Sequence, residues 1–145
     1  MTMKHKASAV WEGSLKEGSG RLSTKSSALQ DTPYTFKSRF EGAGETNPEE
    51  LIGAAHAGCF SMALSNILGQ ADLVAERIST EATVTLEQKE GGFAITKVHL
   101  DVTAIVPGAT PDAFADAAGK AKAECPVSKL LNAEISMDAR LQDAG

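Results

Sequence analysis

Apolar and polar residues alternate along several stretches of this chain, and the period changes from one stretch to the next. From Ile78 to Leu86, the residues Ile78, Ala82, Val84 and Leu86 share one parity. Ser79, Glu81, Thr83, Thr85 and Glu87 take the other. A period of two predicts a half-buried antiparallel strand over Ile78–Glu90. Glu90-Gly91-Gly92 predicts a hairpin turn. Phe93–Val106 is the return strand, and its apolar parity switches near Thr96–Lys97, which predicts a bulge there. Lys6–Glu12 and Arg21–Lys25 read as an N-terminal hairpin around a polar, glycine-containing turn. Tyr34–Phe40 alternates and reads as a third strand, followed by a flexible loop from Glu41 to Thr46. Glu134–Leu141 places Ile135, Met137, Ala139 and Leu141 on one face of a final strand.

The stretch Thr46–Gly69 follows no such alternation. Asn47 is a good N-cap, and Pro48 stands where a missing N–H costs nothing. Glu50, three residues after the cap, completes a capping-box pattern, and Glu49 and Glu50 favour the positive helix start. Gly69 is the predicted stop. The interior leaves almost no polar face, so the spacing predicts a helix buried all round. Its small residues, Gly53, Ala54, Ala55, Ala57 and Gly58, admit close neighbours. A short chain rarely jackets such a helix alone, so a second copy of the chain is expected to help bury it. A further helix is predicted over Pro111–Ala123, with Phe114, Ala117, Ala118 and Ala121 inward. A short one follows Pro126 through Leu131. The order β-β-β, helix, β-β, helix, β is α+β, and 145 residues fit a single domain, 1–145.

Composition narrows the function. The chain carries a net charge of −5, a pI near 5.2 and no basic run, so nucleic acid is not an expected partner. The N-terminal residues lead into no apolar signal segment. His56, Ser61 and Asn66 interrupt the long helix too much for a membrane span. The cytoplasm is the expected location.

His5, His56 and His99 lie in separate elements, so no metal site is expected. Nucleotide loops, a G-x-S-x-G elbow and C-x-x-C are all missing, and no cofactor is implied. Two cysteines remain as chemical candidates. Cys59, inside an apolar helix, reads as a small hydrophobe. Cys125 precedes a short helix whose N–H groups would lower its pKa, so local physics makes it the better thiolate. Spacing does not say whether the two meet. His56, one turn before Cys59, reads as a packing histidine rather than a base. Glu41 and Glu50 read as loop and capping residues.

The run T-N-P-E-E-L-I-G-A-A-H-A-G-C-F-S-M-A-L and the later A-E-C-P-V-S-K-L-L resemble the OsmC/Ohr family of thiol-dependent peroxidases. H-K-A-S-A-V-W-E-G, R-F-E-G and F-A-I-T-K resemble its osmotically inducible protein C branch. The resemblance covers about Lys6 to Leu141. It implies a fold of antiparallel sheets wrapped around a long central buried helix, in an intertwined homodimer. It implies a peroxidatic Cys59, a resolving Cys125, and a Glu49 in the N-P-E motif that holds an arginine beside the reactive thiol. That arginine matches Arg39, with Arg21 as runner-up.

The implied reaction suits these residue types. A thiolate cleaves the O–O bond of an organic hydroperoxide, and less well of hydrogen peroxide, in oxidative or osmotic stress defence. The resulting Cys59 sulfenic acid condenses with Cys125 to a disulfide, and an external dithiol or small-molecule thiol reduces it. Glu49 and Cys59 are ten residues apart, or roughly 15 Å along a continuous helix. Arg39 and Glu49 are therefore expected to serve the Cys59 of a second subunit. The competing readings are a non-enzymatic ligand-binding domain with a structural cysteine pair, and a redox sensor. The lack of a DNA-binding or effector segment weighs against the sensor.

Overall fold

A computed structural model of the chain describes residues 1–42 and 44–143. They fall into two compact units, the first running from Met1 to Leu51 and the second beginning at Ile52. In the first unit β1 (Ala7–Glu12) pairs antiparallel with β2 (Ser19–Thr24), and β2 with β3 (Thr32–Tyr34). Register places Trp11, Gly20 and Tyr34 side by side across the three strands. The Trp11 and Tyr34 rings meet over the glycine, with centroids 5.4 Å apart.

The expected strand over Tyr34–Phe40 is a correction. β3 ends at Tyr34, and Phe36–Phe40 is a short helix, α1. The cause is a capping box. Thr35 Oγ1 accepts from the Ser38 N–H at 3.1 Å, and Ser38 Oγ accepts from the Thr35 N–H at 2.9 Å. The Phe36 and Phe40 rings then contact one turn apart, at 4.8 Å between centroids. The expected loop over residues 41–46 includes position 43, which lies outside the described residues.

The long helix α2 (Pro48–Gln70) begins as predicted, with the Glu50 N–H on Asn47 Oδ1 at 2.7 Å. The Glu50 carboxylate takes the Thr46 hydroxyl at 2.8 Å rather than the cap N–H. The stop is not Gly69. The Leu73 N–H reaches the Leu68 carbonyl and the Asp72 N–H reaches that of Gly69, with Asp72 left-handed at φ 60°. That pairing is a Schellman end built on aspartate.

In the second unit β4 (Arg77–Lys89) and β5 (Gly92–Ile105) form the predicted hairpin. Thr85 faces Lys97 and Leu86 faces Ile95, so Thr96 is the extra residue of the expected bulge. α3 (Pro111–Glu124) buries Phe114, Ala117, Ala118 and Ala121, and α4 (Pro126–Leu130) follows Cys125. β6 (Glu134–Gln142) lies beside β5 in parallel, so this sheet is mixed rather than wholly antiparallel. Alternation fixed the face of β6 but carries no information on its direction. Phe60, Leu64 and Leu68 of α2 join Val98, Leu100, Val102 and the inner face of α3 in one core.

Burial of α2 is one-sided in the single chain. Gly53, His56, Phe60, Leu64 and Leu68 are buried, while Ala54, Ala55, Gly58, Met62, Ser65 and Asn66 are exposed. By length and composition alone the helix also suffices for a membrane span, with a mean hydropathy of 1.4 over its most apolar 18 residues. The expectation that its polar residues rule this out does not hold. The Phe60–Leu64–Leu68 face nevertheless packs in the core with β5 and α3, as in the central helix of a soluble fold.

Candidate active site

The two cysteines meet. Cys59 lies mid-way along α2 and Cys125 closes α3, 66 residues later. Pro126 breaks the chain there, because its ring cannot continue the α3 ladder, and a new helix begins at once. The Cys125 thiol donates to the Cys59 sulfur at 2.8 Å, and both cysteines are free. Closing this contact to the ~2.05 Å of a disulfide asks for less than 1 Å of movement.

Their surroundings differ. Cys125 is wholly buried, whereas Cys59 is partly open. Cys59 lines a groove of about 440 Å³, with Met62, Ala63, Ile67 and Pro126 as apolar lining and Asn66, Gln70 and Glu124 as polar lining. Burial pushes the Cys59 thiol above its ordinary range, and the contact with Cys125 adds to the rise. The backbone N–H of Val127 opposes it by donating to the Cys59 sulfur. The start of α4 thus acts on the Cys59 sulfur through Val127. The chain turns at Cys125 (φ −55°, ψ 128°) before α4 begins, which carries its first turn back toward α2.

His56 also touches α4. Its ring is buried, and Nε2 lies 2.7 Å from Ser128 Oγ. Among the described residues Nδ1 has no hydrogen-bond partner. Burial lowers the pKa of this histidine and keeps it neutral. Ser128 was not singled out from sequence. The S-K-L-L run holds it, but a hydroxyl in a short helix carries no signal of a partner 72 residues away.

In the first unit, Arg39 of α1 and Glu49 of α2 form a two-pronged ion pair. Arg39 Nε donates to Glu49 Oε1 at 2.9 Å and Nη2 to Oε2 at 3.0 Å. Glu49 is buried and Arg39 more open, its guanidinium 5.4 Å from the centre of the Phe40 ring. Asn47 braces the pair's frame by donating from Nδ2 to the Ser38 carbonyl at 3.0 Å. Arg21 is elsewhere occupied, on the exposed hairpin, where Nη2 meets Glu12 Oε1 at 2.7 Å. Among the described residues no cluster of three or more His, Cys, Asp or Glu fits a metal ion.

This arrangement offers thiol chemistry: a partly accessible sulfur beside an apolar groove, with a second thiol in contact behind it. Comparison with known proteins points the same way. A family model described as OsmC-like protein matches residues 41–140. The Peroxiredoxin OsmC of Escherichia coli (strain K12) is 51% identical over 142 residues, covering 98% of this chain and 99% of its own. An organic hydroperoxide resistance protein of Xanthomonas axonopodis pv. citri is 30% identical over 84% of this chain and 85% of its own. Among solved structures, an OsmC-like protein of unknown function from Vibrio cholerae superposes with a TM-score of 0.77 at 15% identity, over 95% of this chain and 99% of that one. OhrB of Bacillus subtilis, an organic hydroperoxide resistance protein, gives 0.67 at 21% identity, over 94% and 98%. These two likenesses are of fold.

Proposed function

The chain belongs to the OsmC family and is a thiol-dependent peroxidase, and from that premise we propose a two-cysteine cycle run by Cys59 and Cys125. The observation that carries it is the contact of the two free thiols. Cys59, as thiolate, attacks the terminal oxygen of a hydroperoxide. The S–O bond forms, the O–O bond breaks, and the departing alkoxide leaves as an alcohol after taking a proton. Cys59 is now a sulfenic acid. Cys125 attacks its sulfur, water leaves, and a disulfide remains. An external dithiol or small-molecule thiol returns both cysteines to thiols.

The apolar wall of Met62, Ala63 and Ile67 supports organic hydroperoxides over hydrogen peroxide as substrates. Burial holds Cys59 as a thiol, so the cycle needs a cation to favour the thiolate and to stabilise the leaving oxygen. Arg39 suits that role better than Arg21. Its fork is held by both oxygens of buried Glu49, while Arg21 is tied to Glu12 on the exposed hairpin. Arg39 and Glu49 act on the Cys59 of a second subunit, in an intertwined homodimer whose single domains span 1–145. Two things support the dimer. Glu49 and Cys59 are ten positions apart on one continuous helix, and the outward stripe Ala54–Gly58–Met62 is apolar. Two thiols that must return to the reduced state fit the cytoplasm. A non-enzymatic role is not favoured beside relatives named as peroxiredoxins.

The test is thiol loss under cumene hydroperoxide and, in parallel, hydrogen peroxide. The expected result is fast loss of both thiols in the native protein, with a Cys59–Cys125 bridge found by mass mapping. Cys125 should not react in Cys59→Ser. Loss no faster than that of an ordinary thiol would reject the proposal.

A further inference from the structure

α4 is a five-residue helix, and its N-cap, Cys125, makes no side-chain capping bond. So short a helix does not hold itself and depends on what it touches. It meets one turn of α2 at three points. The Cys125 thiol, at its cap, contacts the Cys59 sulfur, and the Val127 N–H donates to that same sulfur. Ser128 Oγ meets His56 Nε2 at 2.7 Å. The first two contacts end on an atom whose bonding changes in every cycle, and the third does not.

His56 is suited to a fixed tie. The ring is buried and neutral, and among the described residues its Nδ1 has no partner. A neutral imidazole has one donor and one acceptor nitrogen. A buried N–H left unpaired is rarer than an unpaired buried acceptor. The proton therefore belongs on Nε2, which donates to Ser128 Oγ. That bond is the polar anchor of the ring, and losing it would leave both nitrogens buried and unpaired.

We infer that His56 and Ser128 are a positioning pair for the disulfide-closing step: they hold the start of α4 while the Cys59 sulfur changes, and so keep Cys125 within reach of it. The inference rests on Cys125 being the resolving thiol. In that step the Cys125 sulfur bonds to the Cys59 sulfur and the S–O bond of the sulfenic acid breaks. The hydroxide leaves as water with the Cys125 proton. Two thiol-derived sulfurs end at the disulfide level, and neither His56 nor Ser128 gains or loses an electron or touches the reacting bond.

The experiment compares the wild type, Ser128→Ala and Ser128→Thr, each fully reduced and mixed rapidly with cumene hydroperoxide. A dione probe traps the sulfenic acid, and mass spectrometry counts disulfide and Cys59 sulfinic acid. In Ser128→Ala the sulfenic acid is expected to form at the native rate but to close about tenfold to a hundredfold more slowly. Sulfinic acid at Cys59 should build up as excess peroxide overtakes the slowed closure. Ser128→Thr keeps the hydroxyl and is expected to restore closure. A merely structural role would lower the melting temperature of Ser128→Ala without changing how sulfenic acid divides between disulfide and sulfinic acid. Native closure in a folded Ser128→Ala, or a threonine variant as slow as alanine, would overturn the inference alone. A wild type that forms sulfenic acid and never bridges would instead reject Cys125 as resolver, and the inference would fall with it.

Discussion

His56 and Cys59 are one turn apart on α2, and burial drives both toward their uncharged forms. The histidine pKa falls and the thiol pKa rises. For His56 the consequence for stability has a definite sign. Its folded pKa is depressed, so below the ordinary value near 6.5 the unfolded chain takes up a proton that the folded one refuses. Stability is therefore retained above about pH 6.5 and declines on acidification until His56 itself protonates, by at most about 1.4 kcal/mol per pH unit. His56→Gln keeps an N–H donor but does not titrate. Urea midpoints at pH 7.5 and 5.5 should therefore differ less in this variant than in the wild type. An equal acid loss in both would place the sensitivity in other groups. At this scale the sequence was informative where a residue sits in a long motif, as Cys59, Cys125 and Glu49 do. It was silent on Ser128 and on the Val127 N–H. Their importance comes from a turn at Cys125 that folds α4 back on α2, and no local pattern encodes that return.

At the scale of elements, the first sheet depends on a residue with no side chain. A Cβ at Gly20 would lie 2.7 Å from Trp11 Cε3 and also overlap the Tyr34 ring, so the two aromatics would have to part. Gly20→Ala is expected to cost about 1–3 kcal/mol by overpacking. The loss should appear in the near-ultraviolet signal of the lone Trp11 before it appears in thiol oxidation. An unchanged melting curve would refute it. The bulge at Thr96 was legible because the parity of apolar residues shifts there. α1 was not, because Tyr34–Phe40 supports two readings. Its alternation suits a strand, but Thr35 and Ser38 also stand at capping-box spacing, and the reciprocal hydrogen bonds decide the matter. The direction of β6 was likewise hidden, since alternation is the same whether a strand runs up or down.

For the whole molecule, the question is where each arginine acts. On the proposal that Arg39 and Glu49 serve the Cys59 of a second subunit, Cys59→Ser and Arg39→Gln damage different sites when they come from different chains. Each protein alone should be nearly inactive, Arg39→Gln having lost about a hundredfold in turnover. Refolded together in equal amounts, they should recover about a quarter of native activity, because half of the dimers then carry one intact site. No recovery in verified mixed dimers would mean that each subunit serves itself. The all-round apolar character of α2 suggested a second chain, but not which face it would meet. The packing of Phe60, Leu64 and Leu68 leaves Ala54, Gly58 and Met62 outward, and that is the face the proposed second chain would cover.

The distance along the chain between the two touching sulfurs also has a meaning in time. Cys125 is made 66 residues after Cys59, and β6, which pairs with β5, is later still. At the usual pace of synthesis of about 5–20 residues per second, that interval is roughly 3–13 s. Every newborn molecule thus begins life on the ribosome with one cysteine and no second thiol to close against. An oxidant that reaches Cys59 in that window leaves a sulfenic acid that its own chain has no thiol to resolve, and only an outside thiol can rescue it.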